Sequence, residues 1–350
     1  MGPAVGVVEG GDQHYLESTM SFDVIGMGNP LIDLLAQVPD EFLEQMHLEK
    51  DKMYLVDTER HEALLKALRG RNIVPEAAGS CANTMIGIAQ LGGKAAYCGK
   101  VGADQYGQVY IEKLEAAGVR SFIQAGQEQL TGSTVILVTP DAARTMNTFL
   151  GACQHLTAAD VPLDALKSSR MLYLTGYVWD TPDQQEAARL ALETVQAEGV
   201  EVAMSLADPF CVQRHAEDFV SILKSHVDLV FANREEALAI TGTDNAQQAL
   251  RVLGEWCQTA VITMGGNGAL IGANGETVYV DAFPVQALDS TGAGDGFAAG
   301  YLYGRISGAS LLQCGRLGSY FASKVIERMG PRLDGDVPGL LAPVLGDPRP

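Results

Sequence analysis

One carboxylate lies inside a stretch of very small residues near the end of the chain. Residues 287–304 read ALDSTGAGDGFAAGYLYG, so glycines and alanines surround Asp295. A glycine inside a helix costs about 1 kcal/mol relative to alanine, which indicates that the backbone itself has a role in this stretch. Main-chain amides at the start of a helix can bind an anion, and a neighbouring carboxylate can accept a proton. The stretch therefore predicts a site for phosphate chemistry with Asp295 as the base.

Two well-known phosphate-binding loops do not fit this stretch. A dinucleotide-binding GxGxxG turn opens the first βαβ unit, whereas GAGDG lies near the end of the chain. The sequence contains no GxxxxGK[ST] loop, which excludes a P-loop NTPase. Two structural explanations stay open: a tight turn before a closely packed helix, and a simple capping role for Asp295 in the first helical turn.

Short apolar runs alternate with amphipathic runs along most of the chain. This alternation is typical of βαβ units, so we predict an α/β fold with a central, mostly parallel sheet flanked by helices. The predicted buried strands are residues 22–29, 171–178, 200–207, 227–233 and 260–265, and the clearest predicted helices are residues 183–198 and 244–257.

Residues 119–150 interrupt the alternation. RSFIQAG (120–126) and GSTVILVTP (132–140) are strand-like with no helix between them, which predicts an antiparallel hairpin. The early segment LLAQVPDEFL (34–43) could add a strand to the same sheet. We therefore expect a small β-sheet lid, formed from about 32–56 and 119–150, over a site in the larger domain.

The remaining organisation is that of a single large unit. We predict a main domain at 21–335 between a flexible leader at 1–20 and a loose tail at 336–350. Hydrophobic residues make up 47% and charged residues 19% of the chain, which permits a substantial core. No apolar run reaches the roughly 20 residues that span a bilayer, and the leader lacks a signal-peptide pattern. We therefore expect no membrane partner and a cytoplasmic location.

Charge and cysteine content exclude further classes. The formal net charge of −19 argues against a general nucleic-acid binder, which normally carries a basic face. A nucleotide ligand is still allowed, because a helix N-terminus, a metal ion and an arginine can reverse the potential inside a pocket. The six cysteines form no CxxC pair, so neither a zinc site nor a disulfide framework is expected.

Four motifs, in order, resemble those of the ribokinase-like (PfkB-type) carbohydrate and nucleoside kinases. The glycine-rich stretch resembles the C-terminal signature of this family, and residues 77–107 resemble the N-terminal signature. FANREEA (231–237) resembles its N-x-x-E motif, and VITMGGNGAL (261–270) its T-x-G-x-x-G strand and turn. The resemblance covers residues 22–332. It implies a ribokinase-like fold, ATP and Mg²⁺, and in many members a monovalent cation such as K⁺.

The resemblance also implies roles for residues of the acceptor side. Asp295 corresponds to the catalytic base, and the amides of Gly292, Ala293 and Gly294 would neutralise charge on the migrating phosphoryl group. Asp33 corresponds to a carboxylate that accepts from two sugar hydroxyls. Arg144 lies where some members place an arginine against the phosphates, although an isolated surface arginine is the alternative. The implied substrate-binding residues are Asp33, Gly79, Ser80, Asn83 and Arg144.

On the nucleotide side, Asn233 and Glu236 resemble the pair that organises Mg²⁺ and its waters. Without the family resemblance, an N-x-x-E sequence after a strand would be interpreted as an ordinary helix start. The other implied positions are Asn233, Thr263, Gly265 and Gly268 for ATP, and Asp289 and Ser290, opposite 329–332, for the monovalent cation.

Several segments favour the adenosine-kinase-like branch, namely GNPLIDLLAQV (28–38), RTMNTFLGA (144–152), LYLTGYVWDTP (172–182) and SLADPF (205–210). They predict transfer of the γ-phosphoryl group of ATP to a primary hydroxyl of a ribose-type acceptor, such as adenosine. A free sugar (ribose, fructose or a keto-deoxy sugar acid) is the alternative acceptor, and a nucleoside sensor without turnover is the alternative class. Monomer and homodimer both stay open.

Overall fold

The computed structural model describes residues 21–141 and 143–333, together with Val337 and Val344. The predicted leader at 1–20 lies outside the described residues, as does most of the predicted tail at 336–350.

A sheet of nine strands forms the centre of the larger domain. Its inner strands pair in parallel. Among the described strands of this sheet, only the last two in chain order pair antiparallel with their neighbours, so the predicted mostly parallel α/β sheet is confirmed. In spatial order the strands are β14 (Glu276–Val280), β13 (Ala269–Ala273), β12 (Thr259–Thr263), β11 (Leu229–Asn233), β10 (Glu201–Ser205), β9 (Met171–Thr175), β1 (Val24–Met27), β5 (Ala95–Gly102) and β6 (Arg120–Gly126).

The inner strands are buried on both faces, as continuous apolar runs predict. Every residue of β9 is buried. Met171 and Tyr173 contribute to the core on one face of the sheet, while Leu172 and Leu174 contribute to the core on the other. Because side chains alternate along a strand, one short apolar sequence supplies both cores.

Helices cover both faces of the sheet, and two of them confirm the predicted helices at 183–198 and 244–257. Among the described residues, no helix is both long and apolar enough to cross a bilayer. The helices are α1 (Asp40–Gln45), α2 (Thr58–Ala67), α3 (Ser80–Gln90), α4 (Gln105–Ala116), α5 (Leu163–Lys167), α6 (Pro182–Glu198), α7 (Pro209–Ser225), α8 (Arg234–Thr241), α9 (Ala246–Trp256), α10 (Ala293–Ile306) and α11 (Leu311–Ile326).

A second, smaller sheet of five strands is present, as predicted. The early segment at 34–43 contributes to it only as far as Gln37, because the chain becomes helical from Asp40, immediately after Pro39. In spatial order its strands are β3 (Met53–Leu55), β8 (Arg144–Phe149), β7 (Ser133–Val138), β2 (Leu31–Gln37) and β4 (Ile73–Ala78).

The predicted hairpin between 120–126 and 132–140 is wrong. Strand β6 lies at the edge of the large sheet, parallel to β5, and β7 pairs antiparallel with β8 instead. Because α4 connects β5 to β6, these elements form a βαβ crossover, in which the second strand returns parallel to the first. The predicted lid segment at 119–150 therefore contributes only its second half, and β4, outside both predicted segments, adds an edge strand.

The small sheet lies at the carboxyl ends of the parallel strands. Strand β1 ends at Met27, and the chain enters β2 at Leu31. On the other side, Arg144 of β8 forms an ion pair of 3.0 Å with Asp289, shortly before α10. Ligands of open α/β sheets bind outside the carboxyl ends of the strands. A ligand site is therefore expected in the cleft between the two sheets.

Candidate active site

The small residues of 287–304 serve two different purposes. One set, Gly296, Gly300 and Gly304, lies on the face of α10 that packs against α11. A Cβ atom at Gly300 would lie 2.5 Å from the carbonyl oxygen of Leu317, which is closer than carbon and oxygen can approach. Close helix packing, one of the structural explanations left open by the sequence, is therefore real and accounts for these three glycines.

The other small residues form the turn at the N-terminus of α10. Gly292 caps the helix with φ of 75°, a left-handed conformation that glycine adopts at little cost. The amide of Ala293 donates to the carbonyl of Ser290 at 3.2 Å, so it is already engaged in the turn. Gly294 is exposed, and a Cβ atom there would meet open space. The first turn of the helix thus presents its backbone and its positive dipole end to the cleft.

Asp295 lies in this first turn and is held by two side chains of α3. Its Oδ1 accepts from the hydroxyl of Ser80 at 2.6 Å, and its Oδ2 accepts from Nδ2 of Asn83 at 2.8 Å. Burial raises the pKa of Asp295, while these two bonds and the charge of Arg332 lower it in part. A carboxylate with a raised pKa is better matched to proton transfer near neutral pH than an exposed capping acid.

The start of α3 is brought close to the link between β1 and β2 by Gly79. This residue has φ of 105°, and a Cβ atom on it would lie 2.4 Å from the carbonyl oxygen of Asn29. Ser80 and Asn83 follow at a spacing of three residues, which places both on one helical face. Both side chains can therefore reach the same carboxylate across the helix pair.

Asp33 lies on the half-buried face of β2, between buried Ile32 and Leu34. Its cross-strand neighbours are Glu76 and Thr134. Burial raises the pKa of Asp33 to about 7, against the charges of Arg332 and Arg144, which lower it. A carboxylate in such surroundings gains free energy by accepting hydroxyl donors, as a sugar would supply.

Arg332 is a site residue that the sequence reasoning did not identify. Its Nε donates to Oδ1 of Asn83 at 2.9 Å, and its charge acts on both Asp33 and Asp295. Arg332 therefore contacts Asn83 directly and acts on the carboxylates of Asp33 and Asp295 through its charge. The available signal was weak: a single arginine after Gly330–Pro331, in a segment that the family resemblance placed near a cation loop.

Arg144 does not join this group directly. It pairs with Asp289, and its Nη1 donates to the hydroxyl of Thr291 at 3.3 Å. The carboxylate of Asp289 also accepts from the amide and hydroxyl of Thr291 and from the amide of Gly330. With both oxygens engaged, its side chain does not fit a monovalent-cation ligand, so K⁺ at Asp289 and Ser290 stays a prediction without support from this geometry.

Asn233 and Glu236 form a reciprocal capping box at the start of α8. The amide of Glu236 donates to Oδ1 of Asn233 at 2.8 Å, and the amide of Asn233 donates to Oε2 of Glu236 at 2.9 Å. Burial raises the pKa of Glu236 to about 7, and the bonds from Asn233 lower it in part. The alternative explanation, an ordinary helix start, is therefore correct, because these two residues cap α8. Because both carboxylate oxygens accept from Asn233, the pair fits a metal reached through water better than direct ligation.

The remaining predicted ATP positions lie beside this pair. Thr263, at the end of β12, is the register partner of Asn233. The following turn is closed by the amide of Met264, which donates to the carbonyl of Gly268 at 2.8 Å. Both Gly265 and Gly268 have positive φ, of 57° and 74°. The residues predicted to bind ATP and Mg²⁺ therefore lie together at the carboxyl ends of β11 and β12.

The chain is similar to known kinases over most of its length. It is 39% identical to the adenosine kinase from Sinorhizobium meliloti, with a TM-score of 0.84, over 92% of this chain and 99% of that one. It is also 39% identical to a probable sugar kinase from Rhizobium etli CFN 42, with a TM-score of 0.85, over 92% and 98%. Adenosine kinase 2 from Arabidopsis thaliana is 25% identical over 339 residues, which are 90% of this chain and 97% of that relative.

The sequence profile of the pfkB family of carbohydrate kinases matches residues 52–337. This match spans all four motifs completely and most of the cleft between the sheets. It confirms the family resemblance and the ribokinase-like fold with its second, smaller sheet. The chain therefore belongs to the pfkB family of carbohydrate kinases, which are phosphotransferases that use ATP to phosphorylate an alcohol group.

Proposed function

We propose that this enzyme is a nucleoside kinase that transfers the γ-phosphoryl group of ATP to the primary hydroxyl of adenosine. The observation that carries the proposal is the position of the Asp295 carboxylate, which lies at the N-terminus of α10 and is held by Ser80 and Asn83. The 39% identity to the Sinorhizobium meliloti adenosine kinase over nearly the whole of both chains supports a nucleoside acceptor.

The proposed reaction needs one proton transfer and one bond exchange. Asp33 accepts hydrogen bonds from two ribose hydroxyls and thereby orients the primary hydroxyl. As that hydroxyl oxygen bonds to the γ-phosphorus and the bond from phosphorus to the β-phosphate oxygen breaks, Asp295 takes the hydroxyl proton. The amides of Gly292 and Gly294 offset the charge on the migrating group, whereas the Ala293 amide stays bonded to Ser290.

A free sugar is the weaker alternative acceptor. It is favoured by the equal identity to the probable sugar kinase from Rhizobium etli CFN 42. A sensor without turnover is disfavoured, because a binding protein would not need a base with a raised pKa beside an anion-binding turn.

An acceptor panel tests these alternatives. ADP release is measured with adenosine, other nucleosides, ribose, fructose and a keto-deoxy sugar acid. We expect kcat/KM for adenosine to exceed that for ribose by at least about 100-fold, because ribose lacks the adenine ring and the binding energy that this ring contributes. A sugar preferred over every nucleoside would overturn the nucleoside assignment. Adenosine binding without ADP release would indicate a sensor.

Mg²⁺ is the proposed metal, positioned by Asn233 and Glu236 through water. We expect Glu236→Gln to require about tenfold more Mg²⁺ for half-maximal rate, because outer-shell partners of a metal commonly contribute that much to its affinity. The matched control is Glu235→Gln, since Glu235 is the exposed neighbour in the same helical turn. Equal Mg²⁺ dependence in the two variants would remove Glu236 from the metal site.

The assembly state stays open between monomer and homodimer, and the cytoplasm stays a predicted compartment. The edge strands of the small sheet expose Leu55 and Val74, each about half-exposed. Exposed apolar edge strands are suited to pairing with a second copy, which supports the homodimer. Light scattering after size-exclusion chromatography distinguishes the two states.

A further inference from the structure

The guanidinium group of Arg332 connects the residues of the acceptor side. Its Nε bonds Asn83, which in turn bonds the proposed base. Its Nη2 is buried and has no hydrogen-bond partner among the described residues. Burying a guanidinium donor without a hydrogen-bond partner costs free energy of folding. We therefore expect Arg332 to have a functional role that offsets this cost.

We propose that Arg332 is a positioning residue for phosphoryl transfer, which holds the Asn83 amide in one orientation and places a buried positive charge beside Asp295 and Asp33. This inference rests on the proposed function, in which Asp295 is the base and Asp33 holds the acceptor.

The orientation of the Asn83 amide follows from what each neighbour can do. A guanidinium N–H can only donate, so it requires the amide oxygen of Asn83. An ionised carboxylate can only accept, so Asp295 requires the amide nitrogen. Both requirements are met by one orientation of the amide. Oδ1 of Asn83 accepts from Arg332 at 2.9 Å, and Nδ2 of Asn83 donates to Asp295 at 2.8 Å. Without Arg332, only the carboxylate would restrain the amide.

The residues on either side of Arg332 are anchored to other parts of the structure. The amide of Gly330 donates to Asp289 at 2.9 Å, and the carbonyl of Leu333 accepts from Gln90 at 2.7 Å. Pro331 packs so closely against Gly292 that a Cβ atom on that glycine would lie 2.6 Å from the proline ring. The segment that carries the arginine thus packs against the turn at the N-terminus of α10.

The charge of Arg332 acts on two carboxylates that burial makes hard to ionise. It lowers the pKa of both Asp295 and Asp33, against the effect of burial. Arg144 also acts on Asp33, whereas among the described residues Arg332 is the cation whose charge acts on Asp295. The other titratable groups that interact with Asp295 or Arg332 are Glu76, Cys81, Tyr110, Tyr173 and Tyr177. These groups are neutral or negative, so none of them can replace the positive charge.

The test compares three variants in the full-length enzyme: Arg332→Gln, Arg332→Lys and, as the control, Arg328→Gln. Arg328 is a half-buried arginine four residues earlier in the chain. The dependence of kcat/KM on pH is measured with the best acceptor from the panel, and thermal unfolding reports on folding.

Arg332→Gln is expected to move the acidic limb of the pH profile upward by about one unit, because an opposite charge has been removed from beside both carboxylates. Arg332→Lys keeps the charge and should keep the limb near its wild-type position. Both variants should lose at least about tenfold in kcat, because Asn83 is released at one end. The control should match the wild type in both measurements.

An unshifted acidic limb in Arg332→Gln, with kcat within about twofold of wild type, would overturn the inference. If the glutamine variant does not fold, the lysine variant decides, and wild-type kcat in that variant would overturn it. A wild-type enzyme without activity on any acceptor would instead contradict the proposed function. The two failures are therefore distinguishable.

Discussion

Replacement of Asp295 by asparagine is expected to lower kcat by about 10²–10⁴-fold, the range that a general base contributes. Asparagine is close to isosteric, and its Oδ1 can still accept from the Ser80 hydroxyl, as Asp295 does at 2.6 Å. Its Nδ2 cannot accept from Asn83 in place of Oδ2, so that bond is lost. Its amide cannot take the proton of the acceptor hydroxyl. Binding of ATP and of the acceptor should change little, because the substitution leaves the backbone of α10 in place. Single-turnover rates and equilibrium binding of both substrates measure the two effects separately.

A matched control separates this effect from the general consequence of removing an acid at a helix start. Asp164 also lies in the first turn of a helix, α5, where it is exposed. Asp164→Asn should retain wild-type turnover. Near-normal kcat in Asp295→Asn would exclude this residue as the base, whatever the family resemblance implies.

Replacement of Asp33 by asparagine is expected to raise the KM for the acceptor by about 10–100-fold, because hydrogen bonds to a charged group contribute about 1.5–3 kcal/mol. The KM for ATP should stay the same, since Asp33 belongs to the acceptor side of the cleft. Steady-state kinetics with each substrate varied in turn measures both constants, and the Asp164→Asn enzyme is again the control.

The same residue predicts a dependence of acceptor binding on pH. Burial raises the pKa of Asp33 to about 7. Below this pH the carboxyl group takes up a proton and loses acceptor capacity, so the KM of the wild-type enzyme should rise as the pH falls from about 8 to about 6. In Asp33→Asn this rise should be absent. An unchanged acceptor KM in the variant, or equal pH dependence in both enzymes, would contradict the role of Asp33.

The alternation of apolar and amphipathic segments determined the fold class, because strand and helix periodicity are properties of local sequence. The parallel core strands and helices α6 and α9 lie where the sequence predicts them. The error at β6 shows the limit of such reasoning. Its seven residues have clear strand character, but strand character does not specify which neighbour a strand pairs with. That choice was made by the crossover through α4 and by burial against β5.

Within the candidate site, the sequence by itself predicted Asp295 and the glycine-rich turn, because a carboxylate among small residues at a helix start is a local pattern. The family resemblance of residues 77–107 implied Ser80 and Asn83 as candidate acceptor residues. Only the tertiary structure decided that these side chains meet Asp295, and that Arg332, 249 positions from Asn83, completes the group. The raised pKa values likewise depend on burial. Burial and long-range pairing arise when distant segments pack together, so neither can be read from the residues of any one segment.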